Sequence, residues 1–202
     1  NAGADYFVGT FVRVERDGND RRVIYRDKAS GEERGLDTKL IIGADGAKSK
    51  VARAEIPGAD KVPLVFAYHE IIEAPEKTEV YDPERCDVIY DGKISPDFYG
   101  WVFPHGASAS VGMGSMVKEV NLKQATADLR AASGLEACTT IRKEGAPIPL
   151  RPMDRWDNGR DLVVAGDAAG VVAPSSGEGI YYAMMGGRVA ATAAQAYLAS
   201  GR

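Results

Sequence analysis

Two segments put glycine and aspartate at the junction between a strand and a helix. The first runs Ile41-Ile42-Gly43-Ala44-Asp45-Gly46-Ala47-Lys48-Ser49 and continues to Arg53. A strand enters a Gly-Asp-Gly turn, and Ser49 opens a short helix. The turn carries backbone N–H groups and one carboxylate, Asp45, to the carboxyl end of a strand, where α/β sheets bind ligands. A plain strand-turn-helix corner has the same pattern. The second segment runs Leu162-Val163-Val164-Ala165-Gly166-Asp167-Ala168-Ala169-Gly170, then Ser175-Ser176-Gly177-Glu178-Gly179-Ile180. Asp167 again ends a strand, and Gly166, Ala168, Ala169 and Gly170 leave the backbone around it bare. Gly177 and Gly179 open a long helix. Its N-terminus carries roughly half a positive charge and unpaired N–H groups, which suit a phosphate or an electron-rich carbonyl. The Asp167 carboxylate suits the hydroxyls of a polyol. The competing reading is a corner where small residues merely let helix approach sheet.

A third group is aromatic. Tyr99, Trp101 and Phe103 alternate, so their rings share one face of a strand. Ordinary core packing is an equally open reading of them. No proton donor is readable: His69 falls mid-strand and reads as structural, and His105 follows the aromatic block on a loop as a weak candidate. Cys86 and Cys138 are isolated, with no CxxC pair or histidine cluster, so no metal site is expected and each reads as an inert buried thiol. Arg188 reads as a surface or interface charge, and Glu32-Glu33 as solvated loop. Gly112-Met113-Gly114-Ser115-Met116-Val117 follows a strand and reads as an exposed strand end.

The elements that position these residues follow from patterning. Phe11 to Glu15 reads as a strand with Val12 and Val14 on one face. Asp17-Gly18-Asn19-Asp20 turns it, Arg22 to Arg26 returns, Lys28 to Gly31 turns again, and Leu36 to Ile42 makes a third strand. Leu64 to Ile72, Phe98 to Phe103 and Ala109 to Met113 are strand-like and punctuated by proline, which suits antiparallel structure. Residues 121–132 are helical in spacing, with Gly134 as a stop. Pro147 to Pro152 must be extended. Asp161 to Ala165 is a short apolar strand of the buried parallel kind. From Glu178 to about Ala199 runs one helix; its glycine pair, Thr192, Gln195 and internal Arg188 favour packing on a sheet over crossing a membrane.

Composition limits the function. Of 202 residues, 25 are Lys or Arg and 29 Asp or Glu, a net charge of −4, with 45% hydrophobic. That excludes disorder and an electrostatic nucleic-acid binder. Two cysteines exclude a disulfide-framed module. Glycine is in excess at 23 residues, which signals tight turns and close backbone approaches. The chain begins at Asn1 with no leader pattern, and its ends read as cuts in something longer.

The glycine-aspartate segments resemble the paired flavin motifs of the flavoprotein-monooxygenase-like FAD superfamily. Gly43–Gly46 matches its GADG-type segment and Gly166-Asp167 its GD segment. Within that superfamily, Pro96-Asp97-Phe98-Tyr99-Gly100-Trp101-Val102-Phe103-Pro104 is similar to the P-x-x-Y-x-W-x-F-P block of geranylgeranyl reductases. Ala165 to Gly170, Ser176 to Ala183 and the approach through Pro149 to Pro152 also look like that family. The detail is closest to its (bacterio)chlorophyll branch.

The resemblance implies an α/β chain with α+β character. It is part of an FAD/NAD(P)-binding Rossmann-like domain with an inserted antiparallel β-sheet substrate domain. The expected divisions are 1–60 and 151–202 for the cofactor domain and 61–150 for the substrate domain. It implies FAD as cofactor, held by Asp45, Gly46, Gly166, Asp167, Ala168, Gly170, Gly177, Gly179 and Ile180. Asp167 would take the ribityl chain, and the helix opening at Gly177–Ile180 would face the pyrimidine end of the flavin ring. NADPH is the implied electron donor. The implied substrate is a pigment-bound geranylgeranyl group, lined by Tyr99, Trp101 and Phe103 and saturated at its C=C bonds. The implied location is cytoplasmic or peripheral to a photosynthetic membrane. One departure stands out: no G-x-G-x-x-G turn for the ADP half of FAD is in this sequence, so the chain by itself is expected to hold FAD weakly or not at all. An aromatic hydroxylase of the same superfamily and a non-catalytic flavoprotein-like module are the alternatives.

Overall fold

The opening strands close into an antiparallel meander in the order β1-β2-β3, with β1 at Gly9–Asp17, β2 at Asp20–Asp27 and β3 at Glu33–Thr38. A bulge shifts the register of β1: Phe11 pairs with Tyr25, but Arg13 pairs with Ile24. Val12 is the extra residue, so Phe11 and Val14, not Val12 and Val14, pack with Val23 against the core. A bulge inserts one residue and reverses which side chains face inward. Glu33 is not solvated loop; it begins β3 and accepts hydrogen bonds from Arg13 at 2.8 Å and Arg26 at 3.2 Å.

The computed structural model describes residues 3–18 and 20–200. The chain divides into two units, Asn1–Pro63 with Pro149–Arg202, and Leu64–Ile148. In the first unit the expected single strand over 36–42 is two. The Thr38 hydroxyl donates to the Leu40 carbonyl at 2.7 Å and accepts from the Leu40 N–H at 3.4 Å, closing a small turn that redirects the chain. Beyond it, β4 at Ile41–Gly43 leaves the meander and pairs in parallel with β10 at Leu162–Val164. Helix α1, Lys50–Glu55, follows β4, and helix α3, Ile180–Ala199, follows β10. Ile41, Val51, Ala52, Ile56, Leu162, Val164 and Ala169 form the core that joins α1 to the parallel pair.

An ionic knot fastens the meander to this parallel pair. Arg16 from the end of β1 and Arg21 from the start of β2 reach Asp161, just before β10, at 3.0 and 2.7 Å. Arg16 also meets Glu55 of α1 at 2.6 Å, and the Asn158 amide donates to Asp161 at 2.9 Å. Burial alone would push the Asp161 carboxyl up. Hydrogen bonds from Arg16, Asn158 and Arg21 together outweigh it and hold that carboxyl well below the usual carboxylate range.

The second unit is a five-stranded sheet in the order β6-β7-β8-β5-β9. Its strands are β5 at Leu64–Glu73, β6 at Asp87–Ile89, β7 at Gly100–His105, β8 at Ser108–Ser115 and β9 at Thr140–Pro149. Helix α2, Leu122–Ala132, is capped by Asn121, whose side chain accepts from the Gln124 N–H, and covers one face. Ile72, Val102, Val111, Met113, Leu129 and Leu135 fill the space between sheet and helix. Arg130 of α2 donates to Glu70 at 2.6 Å and to the Leu135 carbonyl at 3.0 Å, so a buried charge is paired and helps anchor the loop after α2. Tyr68 donates to the same Glu70 at 2.9 Å. Burial and that bond push its phenol up to about 12.

Two readings of the sequence change here. Gly112 to Ser115 is not an exposed strand end; those residues are buried on β8. Cys86 is exposed, not a buried thiol, because it lies in the loop before β6.

Candidate functional site

The parallel pairing puts both glycine-aspartate segments at the carboxyl ends of neighbouring strands, with the Ala165 N–H donating to the Gly43 carbonyl at 2.9 Å. After β10 the chain makes a 3-10 turn over Gly166–Ala169 that ends at Gly170. Gly166 (φ +61°) and Gly170 (φ +74°) both adopt left-handed conformations. A Cβ on Gly170 would also overlap the Arg151 carbonyl oxygen, so the extended approach to β10 packs directly on this turn. Ala168 and Ala169 point into the core. Helix α3 returns over the turn through small residues: a Cβ on Gly186 would stand 3.4 Å from the Gly166 nitrogen, and one on Gly166 would stand 3.3 Å from the Ala183 Cβ. Between α3 and β10 lies an apolar cavity of about 280 Å³, lined by Val163, Ala165, Gly166, Tyr182, Met185 and Gly186 among others.

Asp167 differs from every other acidic group in this unit's interior. It is half-buried, and among the described residues its carboxylate has no hydrogen-bond partner. Burial pushes its carboxyl up. Gly179 lies beside it, such that a Cβ there would meet the Asp167 Oδ1 at 3.3 Å. An acceptor of this kind, facing bare backbone, suits hydroxyl donors from a ligand.

The start of α3 is two residues later than the patterning placed it. Gly179 is the N-cap, and the Glu178 carboxylate accepts the Tyr181 N–H at 2.9 Å. The preceding loop closes on itself, the Gly177 N–H donating to Ala173 at 2.9 Å with Gly177 at φ +65°. Ile180 and Met184 on the first turns are 79% and 71% exposed. No helix of the described residues is long and apolar enough to cross a membrane.

Asp45 is already engaged. Its carboxylate accepts from the Ser49 hydroxyl and from the N–H groups of Lys50 and Val51, at 2.8 and 3.2 Å for the latter two. It therefore completes the first turn of α1, with Gly46 (φ +82°) forming the corner before it.

In the second unit, Tyr99, Trp101 and Phe103 form a row on the face of the sheet opposite α2. Tyr99 meets Trp101 edge-on at 6.0 Å, and Trp101 stacks with Phe103 at 6.2 Å between centroids. Phe98 stacks on Tyr99 at 4.3 Å, extending the row. Tyr99 and Trp101 are buried and Phe103 half-buried. Three polar residues that the sequence did not single out for this face join the row. The Trp101 indole donates to Ser110 Oγ at 3.0 Å, His69 Nδ1 lies 2.8 Å from the same oxygen, and His69 Nε2 lies 3.1 Å from Glu144. The signal for them was the run of small residues Ser110, Gly112 and Gly114 at alternate positions of β8, which leaves room for large rings on that face.

The model of the family described as "FAD binding domain" matches residues 1–198. Geranylgeranyl diphosphate reductase of Rhodobacter capsulatus is 63% identical over 201 residues, covering 100% of this chain and 51% of that protein. The chloroplastic geranylgeranyl diphosphate reductase of Oryza sativa is 38% identical over 211 residues, covering 99% of this chain and 45% of that one. Among solved structures, a geranylgeranyl bacteriochlorophyll reductase-like protein of Thermoplasma acidophilum superposes with a TM-score of 0.84 at 25% identity, over 99% of this chain and 51% of that chain. The chain thus spans about half the length of the relatives it matches.

Proposed function

Because the chain belongs to the FAD-binding-domain family, we propose that it serves a flavin-dependent reductase that saturates the C=C bonds of a geranylgeranyl group. The observation that carries the substrate half of this reading is the ring row Tyr99–Trp101–Phe103. A flat, largely apolar wall suits a polyisoprene chain, which offers neither charge nor hydrogen-bonding groups along its length. The 63% identity to a protein named for reducing geranylgeranyl diphosphate supports the same substrate class.

The cofactor half rests on Asp167. A half-buried carboxylate that burial disfavours gains from a ligand that supplies donors, and the ribityl hydroxyls of FAD are donors of the required kind. The residues therefore fit the group. Asp167 would hold the polyol, with Gly166, Gly170, Gly177 and Gly179 keeping the backbone close. The first turn of α3, from Ile180, would present its dipole to the electron-rich end of the ring, with the Tyr181 N–H already held by Glu178. Asp45 would act through α1, by fixing the Gly46 turn. When bound, FAD supplies the hydride that reduction of an isolated alkene needs. The aromatic wall would exclude water from that alkene and orient it.

In this reading the geranylgeranyl group is carried on a (bacterio)chlorophyll-type pigment, NADPH is the electron donor, and the protein meets its lipid substrate at the surface of a photosynthetic membrane. The test is mass spectrometry of the product after the full-length protein is incubated with FAD, NADPH and geranylgeranylated pigment, with free geranylgeranyl diphosphate in a parallel arm. The reading expects gain of one H2 per double bond saturated. Oxygen incorporation, or no change in either arm, would overturn it.

A further inference from the structure

The polar residues beneath the aromatic row form a connected chain across four strands. Trp101 of β7 and His69 of β5 both sit opposite Gly112 of β8, one on each side. A Cβ at Gly112 would overlap the His69 Cβ and stand 2.6 Å from the Trp101 ring. The missing side chain lets the indole and the imidazole occupy the space above it and meet at Ser110, two residues back on the same strand face. Ser110 is 6% exposed and Trp101 9%. Glu144, on β9, closes the chain against His69 and also meets Arg142 at 3.0 Å.

The indole fixes the direction of the first hydrogen bond. An indole N–H can only donate. Ser110 Oγ therefore accepts from Trp101, and its own hydrogen is free for His69 Nδ1. When Nδ1 accepts that hydrogen, the imidazole carries a proton on Nε2, which donates to Glu144. Every donor in the row then points toward the carboxylate, so the bonds polarise one another in the same sense. Ser110 hydrogen-bonds with both rings.

We propose that Ser110, held by His69 and Glu144, is a positioning residue for substrate specificity. It locks the Trp101 indole in one orientation, and the locked ring sets how far the isoprenoid chain slides along the row. This rests on the reductase reading above. A ring held at its N–H presents a fixed edge and plane; a ring free to rotate would offer the chain several registers. The lock should therefore govern substrate KM and which double bonds are reduced, while leaving the rate of the chemical step nearly unchanged.

The experiment uses the full-length protein with FAD and three variants, Ser110→Ala, His69→Ala and Glu144→Gln. For S110A, loss of one buried hydrogen bond predicts a rise in KM of about tenfold with little change in kcat. It also predicts more partially saturated products and faster solvent exchange of the Trp101 indole N–H, followed by 15N NMR and assigned with Trp101→Phe. His69→Ala should shift the same readouts in the same direction. Glu144→Gln keeps an acceptor for Nε2 but removes its charge, and should shift the same readouts less than His69→Ala does. The proposal fails if S110A lowers thermal stability while KM, product pattern and indole exchange stay at parent values. If the parent protein reduces no geranylgeranyl substrate, the reductase reading fails while the indole-exchange arm still reports on the lock.

Discussion

Replacing Asp167 by Asn separates a ligand-binding carboxylate from a structural one, because the two roles predict opposite signs for the apoprotein. The Asp167 carboxylate has no partner among the described residues, and burial raises its pKa. A carboxyl whose folded pKa lies above its unfolded value, about 3.9 for aspartate, binds more protons folded than unfolded in the window between them. Stability is therefore lost as pH rises through that window, and at neutral pH the whole penalty is present. Asn has nearly the same volume and no charge. Asp167→Asn should leave the apoprotein as stable as the parent or more so above about pH 4. Cofactor affinity should move the other way. Trading a charged acceptor, about 1.5–3 kcal/mol per bond, for a neutral one of about 1 kcal/mol should cost about 0.5–2 kcal/mol. That weakens FAD binding by roughly two- to thirtyfold, and Asp167→Ala should weaken it further. Flavin titration followed by fluorescence gives the affinity, and thermal melts with and without FAD give the stability. A variant that melts several degrees lower without ligand, yet binds FAD as the parent does, would refute the reasoning and make Asp167 a structural residue.

Three further outcomes follow from the packing. Gly170→Ala combines a left-handed backbone with overlap on the Arg151 carbonyl; it should destabilise by about 2–4 kcal/mol, read as a lower melting temperature. Gly112→Ala has ordinary backbone geometry but must displace the His69 Cβ and the Tyr68 carbonyl as well as the Trp101 ring, so it should lower stability by about 1–3 kcal/mol together with geranylgeranyl affinity. Asp161→Asn breaks a buried ionic knot while Arg16 keeps Glu55. The expected cost is about 3 kcal/mol, or roughly 6–12 °C at this chain length. The Asp161 carboxyl is held below its usual range, so its contribution is present above about pH 4 and lost as pH falls below that value. Acid titration of stability should accordingly be flatter in the variant.

Period and turn chemistry made most elements legible. The apolar run before Asp167, the helical spacing of Leu122, Ala125 and Leu129, and the alternation through Tyr99, Trp101 and Phe103 each correspond to an element. What escaped was decided by single residues acting on the backbone. The bulge that turns Val12 out of the core leaves no mark in a two-residue period. The Thr38 turn that parts β3 from β4 is made by one hydroxyl, in a stretch that reads as continuous strand. The ionic knot joins residues about 140 apart in sequence, and local patterning cannot report such a partner.

The glycine excess shows why the site was only half readable. Around Gly166 and Gly170 the glycines sit beside an aspartate and open a helix, a local arrangement with recognisable chemistry. Gly112 and Gly114 are as demanding: added Cβ atoms would clash with Trp101 and His69 in one case, and with Val65 and Phe98 in the other. Their reason lies in rings on neighbouring strands, however, and nothing beside them in sequence names those rings. A glycine that makes room for a ligand and one that makes room for the wall a ligand lies against look alike in one dimension. They differ in what a methyl group would strike. At Gly179 it would be the carboxylate proposed to hold the cofactor; at Gly112 it would be the histidine and indole whose bonds to Ser110 keep the wall in place.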